Sequence, residues 1–308
     1  MSSALQRLAG SGRMRSLASS APLAHGLVAR FVAGDLESDA VAVARALHAD
    51  GLLITIDHLG EDTLDSGQAA ATRDAYLSLL SALGDAGLAQ VAEVSIKLSA
   101  VGQALPGDGS KISYDNAGQV CARAAELGTT VTLDMEDHTT TDLTLETLAE
   151  LRRDFPTTGA VLQAYLRRTE ADCRDLAIAG SRVRLCKGAY DEPASVAFRS
   201  AADVDRAYVR ALRILMSGEG YPMLATHDPR LIEIAAALAV RADRAKGSYE
   251  FQMLYGIRPQ EQRRLAQQGE KVRVYVPYGQ EWYGYLVRRL AERPANLTLV
   301  ARSLVSPS

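Results

Sequence analysis

Apolar and polar positions along the chain fall into a repeating two-part unit. A short apolar, partly β-branched run closes on a polar residue, and a long stretch follows whose apolar residues recur at spacings of three and four. The runs are 52–56, 93–98, 130–133, 160–164, 182–186, 222–225, 249–254 and 272–276, eight in all. The stretches between them, such as 117–127, 204–215 and 231–241, carry few breakers and read as helices. Near-continuous hydrophobic strands alternating with helices indicate parallel strands covered on both faces. Every interval is long enough for a parallel crossover. Eight units with no spare strand predict an α/β chain with a closed (β/α)8 TIM-type barrel over 51–308, preceded by an N-terminal helical arm over 1–50.

An open doubly wound sheet is the competing architecture, and it would bring a glycine-rich phosphate turn after its first strand. The chain instead reads Asp57-His58-Leu59-Gly60-Glu61 there, with one glycine. Gly10-Ser11-Gly12 lacks both a preceding strand and a third glycine. A dinucleotide-binding dehydrogenase sheet is therefore not predicted. The first 34 residues hold Arg7, Arg13, Arg15 and Arg30, several serines and no acid, a composition shared by transit peptides and by basic helical arms. Leu27, Val28, Phe31 and Val32 lie at helical spacing and favour the arm, docked on the barrel.

Composition narrows the class of function. The 308 residues carry 34 basic and 37 acidic side chains, a net charge of −3, so no nucleic-acid partner is indicated. No apolar run reaches the roughly 18 residues of a spanning helix. Cys121, Cys173 and Cys186 are too few and too scattered for a disulfide framework, which suits a cytoplasmic compartment.

A barrel of this kind works at the carboxyl ends of its strands. In order those ends offer Asp57, Lys97, Asp134 with Glu136, Gln163, Arg184 with Lys187, Thr226-His227, Glu250 with Gln252, and Tyr275. So many polar groups at one mouth must bind one another or a ligand, and cations among the carboxylates favour an anionic ligand over a bare metal ion. Asp134-Met135-Glu136-Asp137-His138 reads either as an oxygen-rich metal site or as a solvated loop and helix cap; the prediction is no metal. His227 reads as a hydrogen-bonded structural histidine or as a ligand. Lys187 is a candidate Schiff-base lysine of an aldolase-type barrel.

Six of the twelve tyrosines stand at or after Tyr249: Tyr249, Tyr255, Tyr275, Tyr278, Tyr283 and Tyr285, against four phenylalanines in the whole chain. Phenols over a flat ring system or around a small polar substrate account for that preference. Helix 282–292 then carries Arg288-Arg289, with Glu292 four and three residues on, placed to orient either guanidinium. Arginine's rigid fork suits a carboxylate.

Arg182-Val-Arg-Leu-Cys-Lys-Gly-Ala-Tyr190, Tyr249-Glu-Phe-Gln-Met-Leu-Tyr-Gly256, and Val274-Tyr-Val-Pro-Tyr-Gly279 leading to Tyr285-Leu-Val-Arg-Arg-Leu-Ala-Glu292 resemble the proline dehydrogenase family. So do Ser95-Ile-Lys-Leu-Ser99, Val131-Thr-Leu-Asp134, Leu162-Gln-Ala-Tyr165 and Ala225-Thr-His227. The resemblance runs from about residue 31 to 296, and it is to the monofunctional bacterial form without a fused aldehyde dehydrogenase. It implies an FAD-binding barrel that oxidises L-proline to Δ1-pyrroline-5-carboxylate and hands electrons to a quinone, in the cytoplasm or at the inner face of the membrane as a peripheral protein. By motif position, Asp134 and Arg184 are the catalytic pair, Arg184 lying near flavin N5. Arg288, Arg289 and Lys97 would grip the substrate carboxylate, while Tyr275 and Leu254 enclose its ring. Met135, Gln163, Arg184, Lys187, Gly188, Ala189, Tyr190, Thr226 and His227 would contact FAD. Cys186 stands where the family pattern has an aliphatic residue.

These roles cohere physically. Pinning a small zwitterion over the flavin supplies much of the rate, and Arg184 would stabilise charge that builds on the ring system. Asp134 would orient or accept the ammonium proton. Glu61 faces the basic final helix and would act as a gate on Arg288 or Arg289. The competing functions are the Lys187 aldolase-type enzyme and a non-catalytic flavin- or proline-binding module.

Overall fold

Strand β1 (Leu53–His58) opens the alternation, and the other seven predicted runs each become one strand of the same sheet. They are β2 (Ala92–Lys97), β3 (Val131–Asp134), β4 (Ala160–Gln163), β5 (Arg182–Cys186), β6 (Tyr221–Ala225), β7 (Glu250–Leu254) and β8 (Val272–Tyr278). The computed structural model describes residues 28–60 and 63–291, with the backbone alone for 287–291. Helix α1 (Glu37–Ala49) precedes β1. Then α2 (Ser66–Asp85), α3 (Gly109–Glu126), α4 (Thr141–Asp154), α5 (Thr169–Leu176), α6 (Ala201–Ser217), α7 (Pro229–Arg241), α8 (Pro259–Gln267) and α9 (Trp282–Ala291) follow the eight strands in turn.

All strand pairs are parallel, in the order β3-β2-β1-β8-β7-β6-β5-β4. A parallel bridge between Thr132 and Gly159 joins the two ends and closes the ring. Leu133 N–H donates to Gly159 O at 2.9 Å, and Gly159 N–H donates to Val131 O at 2.8 Å. The fold is thus the expected TIM-type barrel. Gly159 is needed at that seam, because a Cβ there would lie 2.6 Å from Thr132 Oγ1.

Period-2 alternation assigns the two faces of each strand. Ile54, Ile56, Val94, Ile96, Val183, Leu185, Phe251, Met253, Val274 and Val276 join one apolar cluster with Leu79, Leu83, Val120, Leu148, Tyr208 and Leu212 of the helices. The core is therefore the shell between barrel and helices. The opposite faces carry Glu93-Ser95-Lys97, Thr132-Asp134, Arg182-Arg184, Glu250-Gln252 and Arg273-Tyr275, and these side chains meet across the barrel interior.

Residues 28–31 are helical, and Phe31 and Val32 bury themselves against Leu59, Tyr285 and Leu286, with Val28, Ile257 and Trp282 beside them. Ala33 N–H donates to Pro277 O and Gly279 N–H to Gly34 O, both at 2.9 Å. The predicted docking stripe is present as far as it is described; Leu27 lies outside the described residues.

The seam generates a prediction. Gly159→Ala inserts a methyl against Thr132 where nothing can move cheaply, and overpacking of this kind costs about 1–3 kcal/mol. Urea denaturation is expected to show that loss as a lower midpoint with an unchanged slope.

Candidate active site

At the carboxyl ends of the strands lies a cavity of about 610 Å³, within the usual range for small-molecule and cofactor sites. Asp134, Arg184, Lys97, Leu254 and Tyr275 line it, and so do Met135, Gln163, Lys187, Gly188, Ala189, Tyr190, Thr226 and His227. Tyr285 brings α9 to the same wall, which places the backbone of Arg288 and Arg289 on the adjoining turn of that helix. Glu61 and Glu292, the expected gate and orienting acids, lie outside the described residues.

Asp134, the last residue of β3, is the hub. Its Oδ1 accepts from Ser95 Oγ and from Arg184 Nη1, both at 2.6 Å, and its Oδ2 accepts from the Tyr275 hydroxyl at 2.6 Å. Lys97 Nζ stands 3.9 Å from Oδ2 and 2.9 Å from Asp57 Oδ2. Arg184 is 4% exposed. Its Nε donates to Gln252 Oε1 at 2.6 Å, and its guanidinium sits 5.2 Å from the Tyr275 ring centroid, in cation–π range. Burial opposes the Arg184 charge, but Asp134 and Glu93 outweigh it and hold the guanidinium above its ordinary range. Burial, reinforced by Asp134 and Asp57, pushes the Tyr275 phenol up, so it remains a donor.

The polarity at the mouth continues downward. Glu93 of β2 accepts from Arg182 Nη2 at 2.5 Å, stands 3.6 Å from Arg184 Nη2 and 3.8 Å from Arg273 Nε, and takes the hydroxyls of Thr55 and Thr130 at 2.8 Å. Glu250 was expected at a strand end; it is instead the first residue of β7 and lies deep in the barrel, paired with Arg273 at 2.7 Å. Its place follows from the alternation of faces along β7, which sets it two residues below Gln252 on the same inward side. Asp57, Glu93, Asp134 and Glu250 thus face Lys97, Arg182, Arg184 and Arg273, and the eight charges cancel. Of the two expectations for these polar groups, that they bind one another or a ligand, the first describes these eight side chains.

The rim is built by loops. Gly188 has φ +111°, and a Cβ there would overlap the Tyr165 ring, so only glycine lets residues 187–190 run along the cavity. Behind that loop the buried Glu192 accepts from the His138 backbone N–H at 2.9 Å and contacts His138 Nδ1 and the Tyr165 hydroxyl, clipping it to the loops after β3 and β4. Gln163 Nε2 donates to Glu136 O at 2.7 Å, and His227 Nε2 accepts from the Leu254 backbone N–H at 2.9 Å, which suits its structural reading. Lys187 sits at the rim with Nζ 2.6 Å from Asp205 and 3.5 Å from Asp228, a setting unlike the apolar pocket of a Schiff-base lysine. The acids after β3 disperse: Glu136 takes the Ser99 N–H and hydroxyl, Asp137 caps the Thr139 turn, and His138 pairs with Glu192. Among the described residues no group of three metal-ligating side chains gathers.

Ser95, Glu93 and Arg273 touch or support the hub without having been singled out, and Gln252, expected at a strand end, holds Arg184. Their signal was present, since Glu93-Ser95-Lys97 and Glu250-Gln252 are polar at alternate positions of runs that are otherwise apolar.

Glu93 yields a pH prediction. Burial raises its pKa, but Arg182, Arg273 and Arg184 outweigh burial and hold it well below its ordinary value of 4.5. The stability it contributes is therefore full above pH 4.5 and lost as pH falls from there toward its depressed value. Glu93→Gln is expected to cost about 3–5 kcal/mol near neutrality, by leaving buried guanidiniums uncompensated. It is also expected to flatten the fall of thermal stability below pH 4.5 relative to the unsubstituted protein.

Comparison with known proteins agrees with this architecture. The sequence profile of the family described as Proline dehydrogenase matches residues 40–302. Proline dehydrogenase of Deinococcus radiodurans is 40% identical over 281 residues, 91% of this chain and 90% of that one. Proline dehydrogenase 2 of Bacillus subtilis strain 168 is 35% identical over 89% of both chains. Among solved structures, proline utilization A from Bdellovibrio bacteriovorus, inactivated by N-propargylglycine, superposes with a TM-score of 0.80 at 27% identity. That likeness covers 87% of this chain and 33% of that one, so the chain spans about a third of the larger protein. With the profile running through all eight strands and two relatives matched almost end to end, the chain belongs to the proline dehydrogenase family.

Proposed function

We propose that this protein oxidises L-proline to Δ1-pyrroline-5-carboxylate with FAD as its cofactor and a quinone as the final electron acceptor. The observation that carries the reading is the Asp134–Arg184–Tyr275 constellation beside Lys97 on the floor of one large cavity, in a chain of this family. The quinone, and a peripheral contact with the membrane, follow from the family resemblance. Among the described residues no helix is long and apolar enough to cross a membrane.

The residues present fit a flavin nucleotide. The cavity wall combines apolar Met135, Val161, Ala225 and Leu254 with the donors of Gln163, Arg184, Lys187 and Thr226, as a flat, partly polar, phosphate-bearing group requires. FAD, when bound there, would supply the acceptor for the hydride, with its electron pair, that leaves the proline ring. Arg184, itself buried, would place a fixed positive charge where negative charge would accumulate. Lys97 and the arginines of α9 would take the substrate carboxylate, and Leu254 and Tyr275 would close on the ring. Conversion of proline to the imine releases one hydride from carbon and one proton from nitrogen.

Asp134 is better suited to orienting that nitrogen than to taking its proton. Three donors at 2.6 Å already occupy its two oxygens and tie it to Ser95, Arg184 and Tyr275. The proton then goes to water, and substrate bearing a neutral nitrogen is the reactive form.

Two outcomes test this. Anaerobic addition of L-proline is expected to bleach the flavin absorption of the purified holoprotein, and Arg184→Lys should slow the bleaching about 10²- to 10³-fold; a spectrum indifferent to proline rejects the assignment. The bleaching rate should also rise with pH toward the alkaline side in Asp134→Asn as it does in the unsubstituted protein. Loss of that limb in Asp134→Asn would make Asp134 the base.

A further inference from the structure

Arg184 is aimed by two side chains that lie beneath it. Its Nε donates to Gln252 Oε1, and Gln252 Nε2 donates to Glu250 Oε1, each at 2.6 Å. Glu250 is fully buried and accepts Arg273 Nε at 2.7 Å, Arg273 Nη2 at 3.2 Å and the Tyr221 hydroxyl at 3.2 Å. Arg273 Nη1 in turn donates to the Ile54 carbonyl at 2.8 Å, which fixes the lower end of the series to the backbone of β1.

The order of donors and acceptors has one sense. An amide has nearly the same shape with its oxygen and nitrogen exchanged, so contacts alone do not orient it. A carboxylate can only accept, and a guanidinium can only donate. With Glu250 on one side and Arg184 on the other, the Gln252 amide has one arrangement that leaves no buried donor facing a donor. That arrangement holds Arg184 by Nε, and the rigid fork then directs Nη1 onto Ser95 and Asp134.

We propose that Glu250 and Gln252 are positioning residues for the reaction: Glu250 sets which way round the Gln252 amide sits, and the amide oxygen aims the Arg184 guanidinium. The inference rests on the proposed proline oxidation for the importance of Arg184, but not for its aim. Glu250 acts from the barrel floor, two residues below Gln252 on the same face of β7, and it bonds to Gln252, Arg273 and Tyr221.

Three variants of the holoprotein test it. Gln252→Met keeps the bulk and removes the acceptor. Glu250→Gln puts an amide nitrogen against either Arg273 or Gln252, donor against donor in both cases. The exchange variant, Glu250→Gln with Gln252→Glu, restores the charge count and an acceptor for Arg184 Nε, while the Glu250 oxygen that Gln252 shares with Arg273 Nε becomes an amide group. Each single variant is expected to slow flavin bleaching by saturating proline about ten- to a hundredfold, as small misplacements of a working group do. The exchange variant is expected to recover part of the Gln252→Met loss, because Arg184 Nε regains its acceptor, which a purely packing role would not produce.

The second readout needs no turnover. The Arg184 Nε–H proton should give a slowly exchanging resonance, assigned by its disappearance in Arg184→Lys. It should be present in the unsubstituted protein and the exchange variant and absent in Gln252→Met. Bleaching rates unchanged in both single variants, an exchange variant no faster than the slower of them, or an Nε–H resonance that survives Gln252→Met overturns the proposal. Should Glu250→Gln fail to fold, Gln252→Met and its resonance decide alone. If proline does not bleach the unsubstituted protein, the catalytic reading fails while the resonance still decides the aim of Arg184.

Discussion

A charge inside a protein must be matched where it stands, and the interior of this barrel is built around that requirement. Arg184 cannot be solvated from its buried position, so Asp134 and Glu93 flank it, and those carboxylates bring in further cations in turn. The series ends only when four acids and four bases balance. A barrel of this size is more usually filled with branched aliphatic side chains. Here the aliphatic layer is pushed outward, between strands and helices, and the axis is given over to ions and hydroxyls.

Such a lattice contributes little to net stability, because desolvation of each ion offsets most of what its partner returns. Its use is geometrical. Groups tied at both ends have one arrangement, and Asp134, Tyr275 and Arg184 are each held by at least one bond unrelated to any ligand. The site is thereby set before a substrate arrives, so binding need not supply the ordering.

The fold was largely legible in the sequence, since eight apolar runs with long amphipathic spacers admit few architectures. The candidate cavity was legible for Asp134, Lys97 and Tyr275 because each ends or nearly ends its run, and for Arg184 because a cation interrupts the middle of an apolar one. Glu93 and Glu250 were harder to read. Both sit where an apolar run begins, and only the two-residue alternation shows that they face the axis beneath the mouth. Pairing partners such as Glu93 with Arg182, 89 residues apart, follow from closure of the ring and have no local signature. The Glu192 clip is of the same kind: its partners His138 and Tyr165 belong to two other loops.

The docked segment at 28–34 has a consequence for how the molecule is made. Phe31 and Val32 are among the earliest described residues to be synthesised, yet their burial depends on Tyr285 and Leu286, more than two hundred positions later. β1 likewise has β8 as one of its two neighbours. Contacts of such long range form slowly and cannot form on a partial chain. The mouth of the barrel is therefore finished late in biosynthesis, when β8 and α9 reach the stripe that residues 28–34 carry.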